Sequence, residues 1–282
     1  MKSKLLSLLL LIVLFTSACA PQATPVAPTT APVAPTTAPA PAGSKTLTVL
    51  AAASLTDSFK EMGKLFESKN PGVTVSFSFA GSQQLAQQLD QGAPADVFAS
   101  ASKKYMDAAV TSKRVNQPDA QNFVKNVLAV IFPKANPAGI TKLQDLAKPG
   151  LKLVLEDKSV PAGQYSLDFL DKAVKDPTFD PTFKDSVLKN VVSNETDVKA
   201  VVSKVSLGEA DAGIVYVTDY NVATDKLGKL AIPDSLNTIA TYPIAPISDS
   251  KNPDLAKAFV ALVMSADGQA IMAKYGFVTV SK

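Results

Sequence analysis

Residues 47–59 read LTVLAAASLTDSF. Leu47 to Ala53 is an apolar run of strand length, and a helix pattern begins directly behind it. Leu55, Phe59, Met62 and Phe66 recur at helical spacing until Asn70-Pro71-Gly72 ends the stripe. The turn between strand and helix therefore carries three alanines and Ser54. In open α/β sheets, ligands bind beyond the carboxyl ends of strands, where helices start, so a small hydroxyl among small side chains marks a candidate site.

The same grammar repeats along the chain. VTVSFSF precedes a helix expected over 83–91 and stopped by Gly92, with Ser82 at the turn, and ADVFAS precedes one over 103–110. NVLAVIF and KLVLE follow, then a loop and a helix over 164–174. NVVSN leads into a helix carrying Val198, Val201, Val202 and Val205, which Gly208 ends. AGIVYV and TYPIAPI read as strands, and two helices, 254–264 and 268–274, close the chain before Gly276. Such alternation predicts α/β sheets covered on both faces.

The composition narrows the chemistry. The 282 residues are 46% hydrophobic and 19% charged, enough for two lobes with separate cores. Lys and Arg total 28 against 25 Asp and Glu, and the net charge falls to +1 without Lys2 and Lys4, so no bulk field recruits nucleic acid. Histidine is absent and Cys19 is the one cysteine, which removes the residues behind most zinc sites, cysteine nucleophiles and Ser-His-Asp triads.

Cys19 has its own explanation. MKSKLLSLLLLIVLFTSA, residues 1–18, has Lys2 and Lys4, an apolar stretch from Leu5 to Phe15 and then small residues. That is the layout of a secretory signal peptide, because the stretch is far short of the roughly 20 residues that cross a bilayer. Ser17-Ala18 before Cys19 resembles a bacterial lipoprotein cleavage site, which implies lipid attachment at Cys19. From Ala20 to Ser44 the chain is mostly Pro, Ala and Thr, with PVAPTTA repeated at 25–31 and 32–38. Residues 19–44 are expected to form a semi-rigid tether, its spacer reaching ~80 Å at ~3.1 Å per residue. The folded body is then extracytoplasmic, held at a membrane surface by its lipid.

Four strand-to-helix junctions stand out: Ser54, Ser82, SVPAGQY around Ala162, and ETDVKAV around Val198. Helix amino termini present unpaired N–H groups and partial positive charge, so several facing inward form a donor-rich cavity for an anion. Ala51 to Ala53, Gly81, Ala162 and Gly163 keep side chains out of the way. Taken singly, each has a plainer reading: Ser54 and Ser82 as N-caps, VPAG as a turn, Tyr216 as a core residue. Asp57, Glu195 and Asp197 lie near the junctions, and Asp57 and Asp197 are expected as first-turn helix acids turned to solvent.

AAASLTDSF, FAGSQQLAQQLDQGAPADVFASAS, VPAGQYS, TDVKAVV, GIVYVTDY and AKYGF occur in this order. With them the chain from Lys45 to Lys282 resembles the periplasmic molybdate-binding proteins of ABC importers. The resemblance implies a two-lobed type II periplasmic-binding-protein fold, with lobe 1 over 45–126 and 240–282, lobe 2 over 127–239, and crossings near Asn126 and Thr241. It implies a tetrahedral oxyanion, molybdate or tungstate, held between the lobes by neutral donors. Ser54 and Ser82 would give hydroxyl and main-chain N–H, Ala162 and Val198 their N–H, and Tyr216 its hydroxyl. The implied protein is a monomer with no cofactor, no cation ligands and no catalysis, whose partner is a membrane permease. One departure is AGSQQ, where Gly81 stands in place of a serine that relatives often carry.

Molybdate and tungstate are proton-free dianions near neutral pH, so N–H and O–H donors satisfy them completely. Monohydrogen phosphate brings a proton that needs an acceptor, and an unmatched buried polar group costs about 1–3 kcal/mol. Sulfate differs in size alone, and a receptor for sulfate or another small solute is the alternative within the class. A different class is an exported Ser/Lys hydrolase, since Ser100-Ala101-Ser102-Lys103 matches S-x-x-K, although no KTG or SDN partner exists in the chain.

Overall fold

A computed structural model describes residues 45–280. The leader, Cys19 and the tether lie outside the described residues, and so do the expectations of export and lipid attachment. In chain order the described elements are β1 (Lys45–Ala52), α1 (Thr56–Lys69), β2 (Val73–Ala80), α2 (Ser82–Asp90), β3 (Val97–Ala99), α3 (Lys103–Thr111), β4 (Gln121–Asn126) and β5 (Leu128–Pro133). They continue with β6 (Leu153–Glu156), α4 (Pro161–Ala173), α5 (Phe183–Lys189), β7 (Val191–Glu195), α6 (Val198–Ser206), β8 (Ala212–Tyr216) and α7 (Val217–Asn221). Last come β9 (Leu227–Ala231), β10 (Ala240–Pro246), α8 (Pro253–Met264), α9 (Ala266–Lys274) and β11 (Val278–Thr279).

The strands form two mixed sheets, ordered β11-β4-β10-β3-β1-β2 and β7-β6-β8-β5-β9. In the first, β1 lies parallel to both β2 and β3, so Ala52, Ala80 and Ala99 end side by side. In the second, β6 lies parallel to both β7 and β8. The remaining pairings, β10 with β3 and β4, β11 with β4, and β5 with β8 and β9, are antiparallel. Each sheet thus has a parallel core, where strand ends and helix starts gather on one edge.

The chain passes between the sheets twice. Only Val127 separates β4 from β5, and eight residues separate β9 from β10. Asn237, buried in the second crossing, receives the Leu128 N–H on Oδ1 at 3.1 Å and donates Nδ2 to the Leu128 carbonyl at 2.9 Å. Its amide stands in for a backbone unit and ties the two crossings together.

Helix placement follows from burial and local chemistry. Phe59, Met62 and Phe66 of α1 are buried, and Phe59 and Phe66 meet Phe259 of α8 edge-on, with ring centroids 5.9 and 5.3 Å apart. Such pairs add about 0.5–1.5 kcal/mol each beyond the area they bury. Helix α4 begins at Pro161, three residues before its apolar pattern predicts, because the fixed φ of proline suits the first helical position, where no N–H is needed. Ala162 and Gly163 therefore fall in its first turn. Helix α2 likewise starts one residue early, at Ser82, with Gly81 before it.

Candidate functional site

The gathered edges of the two sheets face each other across a cavity. Ser54, Ser82, Ala162, Val198 and Tyr216 all line it, the first two from the sheet of β1 and the others from the sheet of β8. Small side chains make up most of the rest of the wall, among them Ala52, Ala53, Ala80 and Ala101. Its empty space, mouth included, is about 210 Å³.

Both serines are held by a hydrogen bond within the protein. Ser54 lies in a 3-10 turn, Ala53–Leu55, between β1 and α1, and its Oγ is 2.9 Å from the Tyr242 hydroxyl. Ser82 is the first residue of α2, and its Oγ accepts the Ala101 N–H at 2.9 Å. Neither side chain caps a helix: Gly81 occupies the cap of α2, and α1 has no side-chain cap bond. The N-cap reading of both residues is thereby corrected. A backbone N–H only donates, so Ser82 Oγ must accept, and its own proton is left for the cavity.

The opposite wall adds backbone and phenol. Ala162 and Val198 lie in the first turns of α4 and α6, where N–H groups have no intrahelical partner. Tyr216 ends β8 with 1% of its surface exposed, and among the described residues its hydroxyl has no partner in hydrogen-bond geometry, although the Tyr242 hydroxyl stands close by. Burial drives its pKa well upward, so the phenol keeps its proton. Gly163 does not border the cavity as its neighbour Ala162 does. Its role is packing, since a Cβ there would stand 2.2 Å from the Asp157 carbonyl oxygen.

Among the described residues, no lysine or arginine lines the cavity. Of the acids near the junctions, Asp57 keeps its expected first-turn place and Asp197 does not. Asp197 is the N-cap of α6, its Oδ1 accepting from Lys199 and Ala200 N–H at 2.8 and 3.1 Å, and it borders the cavity while remaining partly exposed. Asp57, in the first turn of α1, pairs with Lys199 at 2.9 Å rather than standing free. Glu195 bonds Lys204 at 2.6 Å and Ser193 at 2.7 Å.

Of the buried acids that escaped the sequence reading, Asp219 follows and Glu156 ends a strand that leads to the site. Asp219 of α7 is fully buried 3.3 Å from Lys199, and burial, against the pull of that ammonium, pushes it up to about 6. Burial disfavours charge on Lys199 too, but Asp219 and Asp57 outweigh it and raise its pKa. Glu156 ends β6 with both oxygens buried and unpartnered, and burial first, then neighbouring acids, drive its pKa well upward. The signal for Glu156 was a carboxylate closing the apolar run KLVLE. Asp219, one turn after a strand, gave none.

Contacts across the mouth hold the two sheets together. Gln83 Nε2 donates to the Thr196 carbonyl at 2.9 Å, Tyr105 donates to the Ser159 carbonyl, and Lys199 of α6 pairs with Asp57 of α1. Gly81 permits this approach, because a Cβ there would lie 2.4 Å from the Thr196 oxygen. The S-x-x-K motif is spent on structure: buried Ser100 donates to the Ser102 carbonyl, Ser102 caps α3, and Lys103 is exposed.

Comparison with known proteins gives a consistent result. The model of a family described as bacterial extracellular solute-binding protein matches residues 47–278. A molybdate-binding protein of Mycobacterium tuberculosis is 38% identical over 235 residues, covering 83% of this chain and 85% of the relative. The periplasmic molybdate-binding protein of Azotobacter vinelandii superposes with a TM-score of 0.72 at 18% identity, over 83% of this chain and all of the other. The sulfate-binding protein of M. tuberculosis does so with a TM-score of 0.74 at 18% identity, over 84% of this chain and 88% of the other. At such identity these two structures speak for the fold alone, that of the type II periplasmic binding proteins.

Proposed function

The chain belongs to the bacterial extracellular solute-binding proteins, and from that premise we propose that it captures molybdate, and tungstate with it, for delivery to an ABC importer. The observation that carries this reading is the Tyr216 hydroxyl: a protonated donor, buried at the cavity wall and, among the described residues, without a partner in hydrogen-bond geometry. A buried unpaired hydroxyl costs about 1–3 kcal/mol, which an anion accepting its proton removes. Ser54 and Ser82 supply two more O–H donors, and the first turns of α4 and α6 supply N–H at Ala162 and Val198. Residues 45–126 with 240–282 act as one lobe and 127–239 as the other, with the anion bridging them and favouring closure. Release then needs only separation of the lobes, since no direct ion pair holds the anion.

Cys19 is the proposed lipid attachment site, with residues 20–44 as the tether that lets a monomeric body reach its permease from the outer face of the membrane. Isothermal calorimetry with molybdate, tungstate, sulfate and phosphate tests the reading. Molybdate and tungstate are expected to bind tightly, and sulfate at least a hundredfold more weakly; no heat from molybdate would overturn it. Asp197 at the cavity edge favours a second reading, an oxyanion that carries a proton for that carboxylate to accept. Phosphate binding more tightly than molybdate in the same titrations would select it.

A further inference from the structure

We infer that Tyr242 is a positioning residue that fixes the Ser54 hydroxyl as a donor to the bound anion, and that Asn126, at the crossing between the sheets, sets the direction of this relay. The inference rests on the functional reading above and concerns a side chain outside the cavity wall.

The direction of each bond follows from groups that can only donate. The Val127 N–H, in the crossing segment, donates to Asn126 Oδ1 at 3.0 Å, which fixes that atom as the amide oxygen. The Asn126 Nδ2 group therefore points the other way. It donates to Thr218 Oγ1 at 2.8 Å and faces the Tyr242 hydroxyl at 3.5 Å. An NH₂ group cannot accept, so the Tyr242 oxygen takes its hydrogen; the phenol proton then has two oxygens on its other side, Ser54 Oγ at 2.9 Å and, outside hydrogen-bond geometry, the Tyr216 hydroxyl, and it turns to the well-placed one, Ser54. Ser54 then accepts from behind and has one proton left, which points into the cavity that its residue lines.

The arrangement is built to be permanent. Tyr242 and Asn126 are 0% and 2% exposed, so water does not compete for these bonds. Burial, with smaller opposing effects from Ser54 and Asn126, lifts the Tyr242 pKa far above its ordinary value. The phenol is a donor at every physiological pH. Its ring is wedged edge-on between Phe123 and Phe277, with centroids 6.4 and 5.5 Å away, which holds the hydroxyl in place independently of its hydrogen bonds. Chained hydrogen bonds also polarise one another, making the Ser54 proton a better donor than that of an isolated hydroxyl. On the other strand end, the Ala101 N–H does the same for Ser82 directly.

A double-mutant cycle on the folded protein, read by calorimetry with molybdate, tests the relay. Tyr242→Phe keeps the ring packing and removes the donor, and is expected to weaken binding about tenfold with the melting temperature nearly unchanged. In a Ser54→Ala background the same change is expected to cost less than twofold, because the group it acts through is gone. A loss of equal size in both backgrounds, or no loss in either, overturns the inference and leaves molybdate binding standing. Absence of molybdate binding by the unsubstituted protein overturns both.

Discussion

Removal of a single oxygen, in Tyr216→Phe, separates a ligand-binding hydroxyl from a structural one. In the structure that hydroxyl is buried with no partner in hydrogen-bond geometry among the described residues, while its ring meets Tyr242 edge-on at 5.7 Å. Phenylalanine keeps the ring contact. A hydrogen bond to a charged acceptor is worth about 1.5–3 kcal/mol, so its loss weakens molybdate binding by about 10- to 150-fold. Without ligand the same change removes an unsatisfied polar group and costs nothing. At about 2–4 °C per kcal/mol for a domain of this size, the ligand-free melting temperature holds or rises by a few degrees. Calorimetric titration and differential scanning calorimetry on one preparation read both quantities. A fallen melting temperature with unchanged affinity would refute the reasoning, since it would show the hydroxyl serving the fold.

Ser82→Ala is expected to behave in the opposite manner towards stability. It removes a cavity donor and also strands the Ala101 N–H, so affinity drops about tenfold and stability falls by about 1–3 kcal/mol, with the circular dichroism spectrum retained; equal affinity in the variant would mean that the serine only supports Ala101. Asp219→Asn addresses pH. With its folded pKa at about 6 against an ordinary ~3.9, Asp219 holds its proton more tightly in the folded state, so its stabilising contribution is complete below pH ~4 and lost as pH rises through 6. The loss is on the order of 3 kcal/mol at neutral pH. Asparagine cannot ionise, and so Asp219→Asn should melt higher than the parent at pH 7.5, with the advantage shrinking through pH 5 and gone by about pH 3. A variant that melts lower at pH 7.5 would show that the Lys199 ion pair outweighs the burial of the charge.

Much of the architecture was legible because it rests on local rules. LTVLAAASLTDSF gave β1, the turn and α1, since apolar run length and helical spacing are properties of neighbouring residues. The helix at 198–206 was legible from its valines for the same reason. The short elements β4, α5 and β9 were not, because QNFVKN, FKDSVLK and LGKLA have no clean period and take their form from neighbouring strands and helices. At the site, sequence placed Ser54, Ser82, Ala162 and Val198 at junctions and the resemblance added Tyr216, and the structure brings all five to one cavity. What it missed were side chains that act across long separations. Tyr242 is 188 residues from Ser54, and Lys199 is 142 from Asp57, so no spacing rule reports either contact. Asp197 was misplaced by one position, cap rather than first turn, and that position puts its residue at the cavity edge.

The charge arrangement also bears on how a dianion is held and let go. Three helix starts, those of α2, α4 and α6, meet the cavity, and at about +0.5 each they offer roughly +1.5 partial charges. That falls short of balancing a dianion, and the N-cap carboxylate of Asp197 subtracts from it. The full positive charge nearby, Lys199, is shared between Asp57 and Asp219 and stays out of the wall. Binding therefore draws on the number and direction of hydrogen bonds more than on net charge. Each such bond is strong only while water is excluded, because the same donors are weakened once solvent competes for the anion. The contacts that exclude water, Gln83 to Thr196 and Lys199 to Asp57, join opposite sides of the mouth. Opening the mouth breaks those contacts and rehydrates the donors in one motion, so affinity and release are governed by the same interface, with Gly81 at its closest approach.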